Sequence, residues 1–264
     1  MVSMDRRNFL ATSSAAGLAA GSAVAAESAG GGNQIYELRC YRMRNSKTDQ
    51  YGRLTGFMES EHLPMTKRTG VTAQGYFRVT LGEYTPRVYA LSVFDSLADM
   101  GEKHAARAAD KKWTKAADDF GSQGYPQYDR VESWLLRAFD GMKKIEVPGK
   151  ADKPRVFDLR VYEQETFRDT REKTRMFNEE EIQIFRDVGI NPLIFAETIV
   201  GSRMPNITYM TFYPDMDART EAWKAFGASE GWNRIKVIPK WTNAEVVSTV
   251  SNTHLAGLPF SPIQ

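Results

Sequence analysis

The chain has 264 residues, enough for one large or two small domains, and at 42% hydrophobic and 26% charged it has the composition of an ordinary globular protein. A net charge of +2 without a basic stripe leaves no footprint for nucleic acid, and no apolar run approaches the ~20 residues of a transmembrane segment. A single cysteine excludes an internal disulfide, and three histidines far apart in sequence argue against a histidine-rich metal site.

The amino terminus reads as an export leader. Arg6-Arg7 precedes a weakly apolar stretch rich in Ala, Gly and Ser (11–26), the pattern of a twin-arginine signal, so cleavage near Ala25 or Ala26 and delivery to the periplasm are expected. Residues 27–33, with Gly30-Gly31-Gly32, then read as a flexible spacer.

Beyond the spacer the chain repeats itself. Residues 35–41 read Ile-Tyr-Glu-Leu-Arg-Cys-Tyr and residues 156–162 read Val-Phe-Asp-Leu-Arg-Val-Tyr, 121 apart. Gly70 matches Gly189 and Trp113 matches Trp232 at 119, and Tyr89 matches Tyr209 at 120. A period this long marks a duplicated domain rather than a solenoid.

The opening strand alternates, with Tyr36, Leu38 and Cys40 on one face and Glu37, Arg39 and Tyr41 on the other. Its apolar face is expected to lie under helices, with Cys40 a small buried hydrophobe. Tyr51, Leu54, Met58 and Met65 then recur at helical spacing, and Gly70 supplies a left-handed cap. Strands at 74–81 and 87–94 follow, separated by turn residues, then a helix over 96–120 and a closing strand at 129–139. After a linker at 141–154 the same order returns: a strand at 156–163, a helix ending at Gly189, strands at 193–200 and 207–213, a helix over 216–235 and a closing strand at 242–250. The fold class is therefore α+β: two tandem ferredoxin-like (βαββαβ) repeats, 34–140 and 155–264, packed sheet to sheet as a pseudo-dimeric α/β barrel within one chain. Further homo-oligomerisation stays open.

The two Glu/Asp-Leu-Arg-x-Tyr strands, Glu197-Thr198-Ile199-Val200-Gly201, Trp223 with Trp232, and the ending Leu258-Pro259-Phe260-Ser261-Pro262 resemble the NIPSNAP family. The resemblance covers nearly all of 34–264, and the chain looks like the exported two-copy bacterial members with a twin-arginine signal. It implies the dimeric α/β-barrel architecture and little chemistry, because fold alone does not assign activity.

No strong catalytic motif is present. The candidate catalytic groups are His62 and Glu181, 119 apart, each interrupting an apolar helical stripe. An ionisable group there requires a partner or a water-filled pocket. Glu37 with Arg39, and Asp158 with Arg160, are candidate ligand-binding residues: they either hold an anionic ligand inside the barrel or fix the alignment of the two sheets as ion pairs. Trp113 and Trp232 are read as packing the second helices on their sheets. No cofactor and no metal is expected. The leading reading is an exported protein that binds a small, mostly apolar molecule between helix and sheet. The alternatives are a cofactor-free monooxygenase- or isomerase-like enzyme using Glu181 or His62, and a haem protein with His62 or His104 as axial ligand.

Overall fold

The computed structural model describes residues 32–264. The expected leader (1–26), its expected cleavage positions and all of the expected spacer except Gly32 and Asn33 lie outside the described residues. No described helix is long and apolar enough to cross a membrane.

The first copy runs β1 (Ile35–Arg42), α1 (Gln50–Phe57), α2 (Leu63–Arg68), β2 (Ala73–Leu81), β3 (Arg87–Phe94), α3 (Leu97–Ala109), α4 (Lys111–Gly121) and β4 (Arg130–Ala138). The second runs β5 (Val156–Glu163), α5 (Phe167–Met176), α6 (Ile182–Asp187), β6 (Asn191–Val200), β7 (Asn206–Tyr213), α7 (Met216–Ala228), α8 (Glu230–Ile235), α9 (Asn243–Val246) and β8 (Thr249–Gly257).

Local chemistry sets the boundaries. Ser96 and Asp215 cap α3 and α7 by accepting the amides of Asp99 and Ala218. Gly70 and Gly189 follow the first helices at φ of 72° and 83°, a region where a side chain would be strained. Each long second helix breaks once, where the pattern suggested continuity. Asp110 and Ser229 turn extended and cap the next helix through the amides of Trp113 and Trp232.

The closing strand of the second copy is displaced from its expected place. Residues 242–250 do not form it: they hold α9, and β8 starts only at Thr249. Val246, Val247 and Val250 imitate a strand, whereas the true strand contains Ser251-Asn252-Thr253-His254, too polar to show alternation.

All eight strands pair antiparallel in one closed barrel, in the order β1-β3-β2-β8-β5-β7-β6-β4. Each copy contributes four neighbouring strands, β4-β1-β3-β2 and β8-β5-β7-β6, and two seams, β2–β8 and β6–β4, join them. The sheets therefore do more than face each other, because their edges also hydrogen-bond and leave no free edge. Both seams carry a register irregularity, at Val79/Leu81 and at Leu135/Leu136.

The faces are the reverse of the expected assignment. Tyr36, Leu38 and Cys40 pack with Phe157, Leu159 and Leu255 in a core drawn from strands of both copies, which is the barrel interior. Tyr41 and Tyr162 instead join cores that contain helix residues, so the Glu-Arg-Tyr faces lie beneath the helices. An eight-stranded barrel has an interior just wide enough for side chains to fill. It takes the uniformly apolar face, and the face with mixed polarity goes to the layer that solvent can reach from the helix side.

Strand register also corrects one landmark. Leu38 pairs with Leu91 and Leu159 with Met210, so Ala90, not Tyr89, is the counterpart of Tyr209. Tyr89 belongs to the barrel interior, whereas Tyr209 belongs to the helix-side core.

Candidate functional site

The first helix of each copy is interrupted at the same point. Met58–His62 and Phe177–Glu181 form π-helical turns, closed by Leu63 N–H to Met58 O and Ile182 N–H to Phe177 O. Such turns are rare and recur at functional sites. Pro64 removes an amide just beyond the first, yet Gln183 occupies the matching place in the second, so proline does not explain the turn. Each turn ends on an ionisable side chain facing inward: His62 and Glu181 are both buried.

In the first copy that side chain borders open space. His62 Nδ1 lies 2.5 Å from the Tyr76 hydroxyl, and its ring stands edge-on to Trp113 at 5.4 Å. Burial first, then Arg39 and Arg107, lower the His62 pKa to about 3, so the ring is neutral at pH 7. Burial pushes the Tyr76 hydroxyl well up, which keeps its proton in place. With Tyr76 as the donor, Nδ1 accepts and the Nε2–H of His62 is free.

Two spaces meet at Arg39, Tyr41 and His62. One is a cavity of about 230 Å³ whose walls include Leu54, Phe57, Met58, Trp113 and Phe120. The other, of about 20 Å³, is lined by Glu37, Ala90, His104 and Arg107; that is roughly the room one water needs. At this polar end Arg39 Nη2 sits 2.5 Å from Glu37 Oε1, and the other Glu37 oxygen is 3.5 Å from His104 Nε2. Burial lowers the Arg39 pKa, but Glu37 and Tyr41 more than compensate and hold it raised. For His104 burial prevails over the pull of Glu37 and lowers the pKa.

In the second copy the same place is filled. Glu181 Oε2 accepts from Lys173 Nζ at 3.0 Å, with both side chains buried. The Lys173 ammonium also faces the rings of Phe177, Tyr162 and Trp232 at 4.9, 5.6 and 5.9 Å. Phe185, Trp223 and Phe226 contact one another around it. Glu181 is thus one half of a buried ion pair within an aromatic core, not the edge of a pocket.

The strand residues also part company. Glu37 and Arg39 join His62 at one site, on the helix side and not inside the barrel. Asp158 is fully buried, with Oδ2 2.7 Å from Arg219 Nε and Oδ1 2.8 Å from His254 Nδ1. Arg160 lies 4.6 Å over the Trp223 ring and donates to Tyr162 at 3.3 Å. Asp158 is thus answered on both oxygens, whereas Arg160 keeps a buried Nε without a partner. Trp113 does more than pack, since it walls the cavity, and the sequence pattern does not reveal Tyr76, which bonds His62, or Arg107, which lines the smaller space. Lys173 was legible: it precedes Phe177 by one helical turn and Glu181 by two, on a single stripe.

A closed barrel of two repeats with a pocket under the helices of one defines a class of α+β barrel proteins. The NIPSNAP family model matches residues 36–139 and again 157–262, so the chain belongs to the NIPSNAP family. A proposed monooxygenase from Lactobacillus acidophilus shares the fold at 10% identity and a TM-score of 0.55, over 88% of this chain and 99% of that one. Another from Fusobacterium nucleatum gives 10% and 0.52, over 86% and 93%. A NIPSNAP family protein of Agrobacterium tumefaciens aligns over 44% of this chain and 100% of its own, at 15% identity and a TM-score of 0.39. No curated protein matches the sequence. Identities this low show the fold alone.

Proposed function

We propose that the chain is an exported binding protein that holds a small, mostly apolar molecule between the helices and the outer sheet face of its first repeat. The observation that carries this reading is the cavity of about 230 Å³, aromatic along its walls and polar at one end, beside a neutral histidine. Native mass spectrometry of the exported protein tests it. A co-purified small molecule is expected, and it should disappear in Ala117→Phe, which fills the cavity from α4. Equal ligand content in parent and variant would refute the placement.

Each repeat is, on this proposal, a ferredoxin-like unit, and the chain is a fused pair of protomers. The strand order β4-β1-β3-β2, repeated as β8-β5-β7-β6, supports it. Export rests on the twin arginines, and Arg6→Lys with Arg7→Lys should hold the protein in the cytoplasm.

A second reading, a cofactor-free oxygenase or isomerase, draws on the His62–Tyr76 pair at the cavity edge. A ring with a pKa of about 3 is a weak proton acceptor at pH 7, which favours binding over catalysis. Haem is a poorer fit: the cavity is small, and His62 and His104 already face Tyr76 and Glu37.

A further inference from the structure

We infer that the ligand of this site carries one anionic group and that the chain takes a single such molecule, in its first repeat. The inference rests on the binding reading above and adds the chemistry and the stoichiometry.

The first repeat holds a cation with nothing to answer it. At the polar end of the pocket Glu37 is matched by Arg39 at 2.5 Å, and Lys103 by Asp99 at 3.4 Å. His62 and His104 are neutral at pH 7. Arg107 lines the same space, and among the described residues its side chain makes no hydrogen bond and has no carboxylate within 4.0 Å. The guanidinium is half-buried, its nitrogens stay in reach of solvent, and it can exchange that water for an anionic partner. Its five donors in a planar fork fit a carboxylate or a phenolate. The free Nε2–H of His62 can add a hydrogen bond, and the aromatic walls receive the rest of the molecule.

The second repeat keeps the strand acid and arginine, as Asp158 and Arg160, but has lost the helix cation and the open space. Strand and helix register, offset by 119 residues at these positions, pairs Ala90 with Tyr209, Thr66 with Phe185, His104 with Trp223 and Arg107 with Phe226. Each exchange puts a large ring where the first repeat has a small or polar side chain. Tyr209 and Phe185 are completely buried, and Leu54 is replaced by Lys173, which answers Glu181 internally. Among the described residues Arg160 also has no carboxylate within 4.0 Å, but it lies against the Trp223 ring at 4.6 Å and the rings fill the space beside it, so one site per chain follows.

Isothermal titration of the mature chain with two matched probes tests this: 2-naphthoate and its neutral analogue 2-naphthylmethanol. The acid should bind once per chain and more tightly than the alcohol, by about tenfold or more, since hydrogen bonds to a charged group contribute ~1.5–3 kcal/mol. Arg107→Gln should bring the acid down to the level of the alcohol, Arg107→Lys should restore part of the preference, and Ala117→Phe should abolish binding of both. Equal affinity for the two probes, or an acid unaffected by Arg107→Gln, overturns the anionic group and leaves the binding reading standing. Two acid molecules per chain overturn the single site. If neither probe binds a folded parent chain, the binding reading falls and this inference falls with it.

Discussion

Lys173 and Glu181 offer a quantitative test of how the second repeat is held together. The two charges lie 3.0 Å apart with side-chain exposures of 1% and 3%. At an effective dielectric of ~20 their attraction is about 5 kcal/mol, most of which offsets the cost of drying both ions. The net worth of the pair is therefore small, while the cost of breaking it is large. Lys173→Met leaves the Glu181 carboxylate buried without its partner. Removing one member of such a pair costs ~3–5 kcal/mol, which for a fold of this size lowers Tm by roughly 6–20 °C. Lys173→Met with Glu181→Leu removes both charges and should cost less than either single change. Urea unfolding of the four proteins, read as a double-mutant cycle, measures the coupling. A loss below about 1 kcal/mol for Lys173→Met, or a double variant as unstable as the sum of the singles, would refute the buried pair. Ligand capture should survive in all four.

Acid should destabilise the fold through His62. The ring titrates near 3 when folded and at 6.5 when free, so the folded state favours the neutral form. Its contribution is full above pH 6.5 and is lost as pH falls from 6.5 toward 3, about 2 kcal/mol of it between pH 7 and 5. His62→Gln should flatten that slope in urea unfolding, and identical slopes would contradict the burial. Cys40 is fully buried, and burial raises its thiol pKa. It should therefore resist thiol reagents in the native protein and react fully once unfolded, and rapid native labelling would contradict this. For the leader, Arg6→Lys with Arg7→Lys should leave the uncut protein in the cytoplasm, and undiminished periplasmic protein would dismiss a twin-arginine route.

Much of the fold could be read from residues alone, because the duplication supplies two versions of each element. Gly70 and Gly189 ended the first helices as the pattern required, and the period-2 alternation of β1 and β5 separated their two faces correctly. Which face looks inward was not legible. Alternation sorts residues by side, but only the closed barrel decides that the drier side is the interior. The error at 242–250 had a remedy in the repeat itself, since β4 shifted by 119 residues lands on Thr249–Gly257.

The site was legible in part. Helical phase placed His62 and Glu181 inward, and both are buried. Sequence periodicity carries no information on what the opposing strand presents. The cross-strand pair there is Tyr76 and Ala90 in one copy and Phe195 and Tyr209 in the other, and this decides whether the space above it is open. Arg107 escaped notice because an arginine on an amphipathic helix is ordinarily solvated; only the position of Glu37 and Arg39 beneath it reveals a lack of partners.

The division of labour between the copies follows from fusion. In a symmetric dimer every substitution occurs twice, so exchanging a core ring such as Tyr209 for alanine opens two cavities. Each would cost ~3–5 kcal/mol, against a total stability of only about 5–15 kcal/mol. In a single chain the same exchange occurs once. The seams β2–β8 and β6–β4 bind both copies into one barrel, so stability gained in either supports the whole. The tightly packed aromatic layer of the second repeat thus offsets a hollow and an unanswered guanidinium in the first. On this physical ground a duplicated barrel can keep one pocket while closing the other: the closed half stabilises the fold that the open half needs.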